Sequence, residues 1–259
     1  MQRIFTALVL IPAVLGVMFA APPWLAFSVV LAIAALCYRE YLALVAAMNL
    51  PTFAPVGYAL GFVIMAVPLP GILVATLLVM LAMALALRCA DLTQSLASAG
   101  AFVLGILYIF GGWRTAIDLG RISPHWLLMA CALNWVGDTA AMIVGRSLGK
   151  RKLAPVISPG KTWEGSMASV LMSIAFGVAY IGWALPMVPW WKTLIIAAAA
   201  NVAGQLGDLA ESALKRGAHV KDSGTMLPGH GGWLDRVDST LFAMPVVRLL
   251  LTPWLSMLE

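Results

Sequence analysis

Charge is scarce in this sequence. Lys, Arg, Asp and Glu make up only 10% of its 259 residues, against roughly a quarter in water-soluble domains, and that shortage excludes a soluble globule. Cysteine is equally thin. Cys37, Cys89 and Cys131 lie in or beside apolar segments, form no metal-ligand cluster and read as small packing residues, so no disulfide framework is implied. Internal repeats and low-complexity tracts are missing too. What remains is apolar: 62% of the residues are hydrophobic. Charge-free runs at Ile4–Tyr38, Tyr41–Leu87, Leu92–Trp113 and Gly165–Trp191 reach or exceed the roughly 20 residues that cross a bilayer as helix. The expectation is an all-α, polytopic membrane helix bundle forming one integral domain over 1–259. Its scaffold helices are expected in 1–122, and its catalytic helices and cytosolic loops in 123–259.

Breaking the runs at Pro, Gly and charge gives about nine spans, near 4–21, 24–44, 56–69, 71–87, 95–112, 125–144, 165–185, 193–212 and 239–257. The first could pass for a signal peptide, but further spans follow at once and Pro22-Pro23 makes a sufficient turn, so a retained helix is expected. Gly57-x-x-x-Gly61 has the spacing of a close helix contact; in so glycine-rich a membrane chain it is assigned to chance. With the N-terminus inside, Arg3, Arg88, the Arg146–Lys161 loop and the Lys215–Arg236 loop fall on the cytosolic side. The turns at Pro22-Pro23 and 68–70 carry no charge, so the positive-inside rule favours N-in, C-out, with Arg114, Arg121 and Lys192 as exceptions.

The net charge of +5 matters less than its placement, and no nucleic-acid partner is expected. Seventeen of the 27 charged residues fall between Asn134 and Ser239. Thr193–Gly207 is uncharged for 15 residues, about 22 Å of helix and short of a ~30 Å hydrocarbon core, so Asp208 should lie below the membrane surface. Ile122–Gly137 delivers Asp138 to a similar depth. A carboxylate there costs roughly 2.5–3.5 kcal/mol even on the gentler insertion scale, so it is expected to face a cation, a basic partner or a polar cavity. Taken singly, each acid could equally mark the interfacial end of its helix.

Between these spans lies Ser158-Pro159-Gly160-Lys161-Thr162-Trp163-Glu164-Gly165. It is not a Walker A loop: Pro155 stands where that motif needs its first Gly, Pro155 and Pro159 lack amide hydrogens, and no strand is expected to precede them. A lysine, hydroxyls and exposed amides at a helix start can still hold a phosphate. The strongest signal is Ser212–Asp238, which packs Lys215, Arg216, Lys221 and Arg236 with Asp222, Asp235 and Asp238 around Pro228-Gly229-His230-Gly231-Gly232. Glycines let backbone approach a ligand. Asp235 and Asp238 share a face if a helix begins there, and hard oxygens with phosphates nearby suit Mg²⁺. A solvated loop whose charges pair among themselves is the plainer alternative. His230, the only histidine in the cluster, reads first as a structural hydrogen-bonding residue. Arg248, mid-span, could hold an acid, snorkel or reach a lipid phosphate.

These residues resemble the phosphatidate cytidylyltransferases, or CDP-diacylglycerol synthases. That family's signature runs Ser, two residues, Lys-Arg, four residues, Lys-Asp, a Pro-x-His-Gly-Gly turn and Asp-Arg-x-Asp. It is matched by Ser212, Lys215, Arg216, Lys221, Asp222, Pro228, His230, Gly231, Gly232, Asp235, Arg236 and Asp238. The resemblance covers roughly 130–245, and Trp233 departs from it where an aliphatic residue is usual. It implies that CTP and phosphatidate give CDP-diacylglycerol and pyrophosphate with Mg²⁺, with K⁺ as a possible second cation, a homodimer, and a bacterial inner-membrane location with the site facing the cytosol. On this reading Asp208, Lys215, Arg216, Lys221, Asp222, His230, Asp235, Arg236 and Asp238 are catalytic, and Asp208, Asp235 and Asp238 hold the metal. Asp138, Ser158, Lys161, Thr162, Glu164, Ser212, Gly231 and Gly232 bind substrate. The rivals are a CTP-dependent lipid kinase, which would pass on the γ-phosphate, and an ion-coupled transporter. A transporter predicts acids and glycine breaks in paired halves, and the first half here has almost none.

Overall fold

The computed structural model describes residues 12–68, 70–227, 229 and 231–255. Pro228, His230 and residues 4–11 of the expected span 4–21 lie outside the described residues. Contacts gather the described chain into two compact units, one of Pro22–Arg114 with Leu214–Arg236, the other of 12–21, Thr115–Ala213 and 237–255.

In the first unit, proline opens the long helix α2 (Pro23–Ala47), where a missing N–H breaks no helical hydrogen bond. The preceding described stretch, 12–20, is helix α1 and belongs to the second unit. α3 (Ala54–Ala66) and α4 (Gly71–Ala86) are short apolar helices. A single 3₁₀ turn at Leu92–Gln94 follows, capped by Asp91, whose Oδ1 accepts the Thr93 amide at 2.9 Å. It leads into α5 (Ser95–Gly105), a π turn at Ile106–Gly111 and α6 (Gly112–Ile122).

The core of this unit is aromatic. Tyr38, Tyr41 and Phe110 are buried, with the Tyr38 and Phe110 ring centroids 5.0 Å apart. Gly57 lies so close under the Tyr38 ring, and Gly61 against Phe110, that a Cβ on either would overlap the ring. The Gly57-x-x-x-Gly61 spacing is therefore a genuine close contact and not chance: the missing side chains admit the rings. Arg114, one of the exceptions to the charge rule, donates to the carbonyl of Met65 at 3.0 Å. That serves one of the carbonyls a helix end leaves without partners, here in α3.

In the second unit, Ser123 caps α7 (Pro124–Ser147) with Pro124 in its first turn. α8 (Trp163–Ala184), the greater part of α9 (Trp190–Gly217) and of α10 (Leu234–Leu255) complete it. A polar seam joins α7, α8 and α9. Asn201 Nδ2 donates to Ser169 Oγ at 3.0 Å and Ser173 Oγ at 2.8 Å, Ser173 Oγ donates to the Leu133 carbonyl at 2.9 Å, and Gln205 Nε2 donates to Asn201 Oδ1 at 2.7 Å. Such interhelical hydrogen bonds hold helices where lipid offers no hydrophobic driving force between them.

Two expectations need correcting. The α7–α8 connection contains an antiparallel hairpin, β1 (Lys152–Ala154) and β2 (Ser158–Thr162), with Lys152 opposite Thr162 and Ala154 opposite Ser158. A strand does precede Pro155: the Trp163 amide donates to the Arg151 carbonyl at 2.9 Å and closes the hairpin against the start of α8. α9 also runs on to Gly217, so Lys215 and Arg216 lie in its last turn and not in the following loop, where their charge complements the helix C-terminus.

The described residues are thus mostly helical, with almost no sheet. Among the described residues, five helical stretches are long and apolar enough to cross a membrane: Pro23–Ala47, Leu92–Ile122, Pro124–Ser147, Trp163–Ala184 and Trp190–Gly217. This is the pattern of a multi-pass membrane protein. Cys37, Cys89 and Cys131 are buried free thiols, as read from the sequence.

Candidate active site

In the first unit, the stretch from the end of α9 to the start of α10 folds around two carboxylates. Asp235, in the first turn of α10, accepts at Oδ2 the Ser223 amide (2.9 Å), the Ser223 hydroxyl (3.0 Å) and the Gly232 amide (2.8 Å). At Oδ1 it pairs with Lys215 Nζ, 2.6 Å away, and both side chains are nearly buried, at 11% and 5% exposure. Burial alone would push the Asp235 carboxyl up. The Lys215 ammonium and the Gly232 and Ser223 amides outweigh it and hold the group below the usual carboxylate range. Gly231 follows the turn with φ +79°, and a Cβ there would stand 2.7 Å from Asp235 Oδ2, so glycine is required on both counts. Leu227 and Gly231 close that turn through a 2.9 Å amide-to-carbonyl bond.

The second carboxylate is Glu40 of α2, 5% exposed. Its Oε2 accepts the Ser223 hydroxyl at 3.0 Å and the Leu234 amide at 2.8 Å, and its Oε1 accepts the Trp233 amide at 3.0 Å. Glu40 has no place in the sequence reading. The only signal for it was an acid interrupting the apolar N-terminal runs, and its partners lie 183–194 residues away.

The rest of this cluster is at the surface. Arg216 is exposed and donates to the Val220 carbonyl at 2.9 Å, while Lys221, Asp222 and Arg236 are exposed. His230 lies outside the described residues. Gly232 is buried, with the Glu40 carboxylate and the Ser223 hydroxyl crowding the place of a Cβ.

The second unit holds a cluster of its own residues. Lys161 on β2 forms an ion pair with Asp208 of α9, both side chains more than a quarter exposed. Ser212, one turn on, donates to Asp208 Oδ1 at 3.4 Å. Thr162 is buried as the N-cap of α8, its hydroxyl accepting the Gly165 amide at 3.2 Å. Glu164 accepts the amides of Lys150 (3.1 Å) and Arg151 (3.3 Å) and so fixes the base of the hairpin. Ser158 is half-buried on β2, and Asp138 is exposed on α7.

Asp238 is buried in α10 and its Oδ1 accepts the Ser239 amide at 2.7 Å. Gly207 lets α9 approach this point: a Cβ there would stand 2.8 Å from the Asp238 carbonyl oxygen. Among the described residues, no group of three His, Cys, Asp or Glu side chains could hold a metal ion unaided.

Helices of bilayer length, with a lysine set against a carboxylate in each unit and a glycine-cut loop that turns backbone amides onto Asp235 and Glu40, define a multi-pass membrane protein with charged clusters at its loops. The chain belongs to the Cytidylyltransferase family, whose sequence profile matches residues 1–254. It is 43% identical over 155 residues to a phosphatidate cytidylyltransferase of Bacillus subtilis (strain 168), covering 59% of this chain and 58% of that protein. Over 149 residues it is 41% identical to the same-named protein of Staphylococcus saprophyticus and 39% identical to that of Staphylococcus haemolyticus, covering 58% of this chain and 57% of each. The match thus spans less than two thirds of these relatives' own length.

Proposed function

We propose that this chain is a phosphatidate cytidylyltransferase, making CDP-diacylglycerol and pyrophosphate from CTP and phosphatidate. The observation that carries this reading is the nearly buried Lys215–Asp235 pair, placed within the Ser212–Asp238 signature of a multi-pass chain from this family. A phosphate oxygen of phosphatidate attacks the α-phosphorus of CTP. The bond from that phosphorus to the bridging oxygen breaks, and pyrophosphate leaves with the electron pair. The nucleophile is already an anion, so no serine or cysteine has to be activated, and the demand on the protein is positioning and charge neutralisation.

Lys161, Lys215, Arg216, Lys221 and Arg236 supply the positive charge, and the Gly231-Gly232 turn supplies close backbone. Asp222 and His230 complete the signature as accessory polar groups, and Asp138, Ser158, Thr162, Glu164 and Ser212 shape the hairpin side. Mg²⁺ fits the donor set. Asp208 already carries a cation, Lys161, on a partly exposed carboxylate, and Mg²⁺ commonly takes only one or two carboxylates with substrate phosphates. Asp208 is the carboxylate proposed to hold it; Asp235 and Asp238 are proposed as ligands from the signature alone, since both Asp235 oxygens are taken by Lys215, Ser223 and Gly232. When bound, the ion would neutralise nucleotide phosphate charge, with K⁺ as a second cation. About nine spans, an N-in topology in a bacterial inner membrane, a cytosol-facing site and a homodimer belong to the same proposal.

The test is purified protein in detergent with phosphatidic acid and CTP labelled at either the α- or the γ-phosphorus. Label should enter lipid only from the α position, and Asp208→Asn should lower the rate by about 100-fold or more. Transfer of γ-label would make the protein a lipid kinase.

A further inference from the structure

We infer that Glu40, in the N-terminal part of the chain, is a positioning residue for the signature loop, acting on the reaction through Asp235. The inference rests on the cytidylyltransferase reading. A carboxylate on a long apolar helix is tolerated when partners surround it, and Glu40 has them. Its partners are the Ser223 hydroxyl and the Trp233 and Leu234 amides. These lie at opposite ends of one loop, so a single side chain pins both ends. The two amides belong to the start of α10, where helix geometry leaves N–H groups without internal acceptors.

The chain also makes room for this contact. A Cβ on Gly224 would stand 2.6 Å from Glu40 Oε1, and one on Gly232 would overlap the same carboxylate. Ser223 links the two acids, its Oγ lying 3.0 Å from both Glu40 Oε2 and Asp235 Oδ2. Asp235 follows Leu234 directly, so the residue that fixes the Leu234 amide also sets where Asp235 presents Oδ1 to Lys215. Glu40 is buried beneath this arrangement and supports it from below.

Removing the support should release the loop while the helices stay packed. The experiment compares the full-length protein with Glu40→Gln and Glu40→Ala in detergent. Glutamine keeps the shape but turns an N–H toward at least one of the three donors. Trypsin should cut after Lys221 at least about tenfold faster in both variants, with cleavage at Lys150–Lys152 unchanged, because a local opening is exposed and not the global fold. For CDP-lipid formation, kcat should fall by about 100-fold, the scale of a roughly 1 Å misplacement, with a smaller change in KM for CTP. Unchanged cleavage after Lys221, a kcat within twofold of wild type, or hairpin cleavage rising in parallel with Lys221 would each overturn the inference. The proteolysis result stands even if the wild-type protein makes no CDP-lipid, so failure of the reaction and failure of the loop support are told apart.

Discussion

Asp235 and Lys215 form one ion pair, but their loss is not equivalent. Asp235 serves four donors, whereas its bond to Lys215 is only one of them. Lys215→Met leaves a carboxylate still held by two amides and a hydroxyl, so the expected loss of stability is about 1.5–3 kcal/mol. Asp235→Leu takes its carboxylate from the nearly buried Lys215 ammonium and leaves the Ser223 and Gly232 amides without their acceptor, while the Ser223 hydroxyl keeps Glu40, and about 2–5 kcal/mol is expected. Combining the two should recover little, because the Ser223 and Gly232 donors remain unmet. Denaturant unfolding in detergent measures all three. The Asp235 carboxyl is held below its unfolded value, so its contribution is full above the ordinary aspartate range near pH 4 and is lost as pH falls through the lower folded value. An Asp235→Asn protein should therefore lack that acid-side decline. Lys215 and Asp235 were legible in the sequence because the signature is local. Glu40 was not, since what defines it is a contact across nearly the whole chain that no spacing encodes.

At the scale of elements, the apolar runs marked the helices and the prolines marked several of their starts, at Pro23 and Pro124. Less legible were features that depend on a neighbour. The β1–β2 hairpin is too short to show a strand period, and the last turn of α9 looks polar enough to be loop. Gly57 and Gly61 could be told from chance glycines only by the rings that fill their space. Gly207 is the most demanding of these contacts, since its missing Cβ faces the backbone oxygen of Asp238, 2.8 Å away, and the ring of Phe242. A backbone oxygen cannot swing aside as a side chain can. Gly207→Ala should therefore cost about 1–3 kcal/mol by overpacking and lower activity by moving Asp208. Gly160→Ala, where nothing lies within 4 Å of a Cβ, should leave stability unchanged. Thermal unfolding of the two variants side by side provides the check.

For the molecule as a whole, the membrane supplies the frame and the charges supply the direction. α8, at 22 residues, is about 33 Å long and crosses a ~30 Å hydrocarbon layer. Val156, 89% exposed in the hairpin before it, and Met187, 93% exposed in the turn after it, must then lie on opposite faces. Trp183, Trp190 and Trp191 are exposed around that turn, the aromatic belt expected where a helix pair meets the head groups. The hairpin end carries Lys150, Arg151, Lys152 and Lys161, whereas the turn carries only Lys192, placed 5.4 Å over the Trp191 ring. On the proposed N-in topology, the positive-inside rule predicts a cytosolic hairpin and with it a cytosolic Lys161–Asp208 pair. The three native cysteines are buried, which keeps the background of a thiol-labelling experiment low. In intact cells with a permeabilised outer layer, a membrane-impermeant maleimide should label Met187→Cys and spare Val156→Cys, and inverted membrane vesicles should give the reverse. Labelling of Val156→Cys from outside would turn the topology over and place the site where cytosolic CTP cannot reach it, so this pair of variants tests the proposed reaction and the charge rule together.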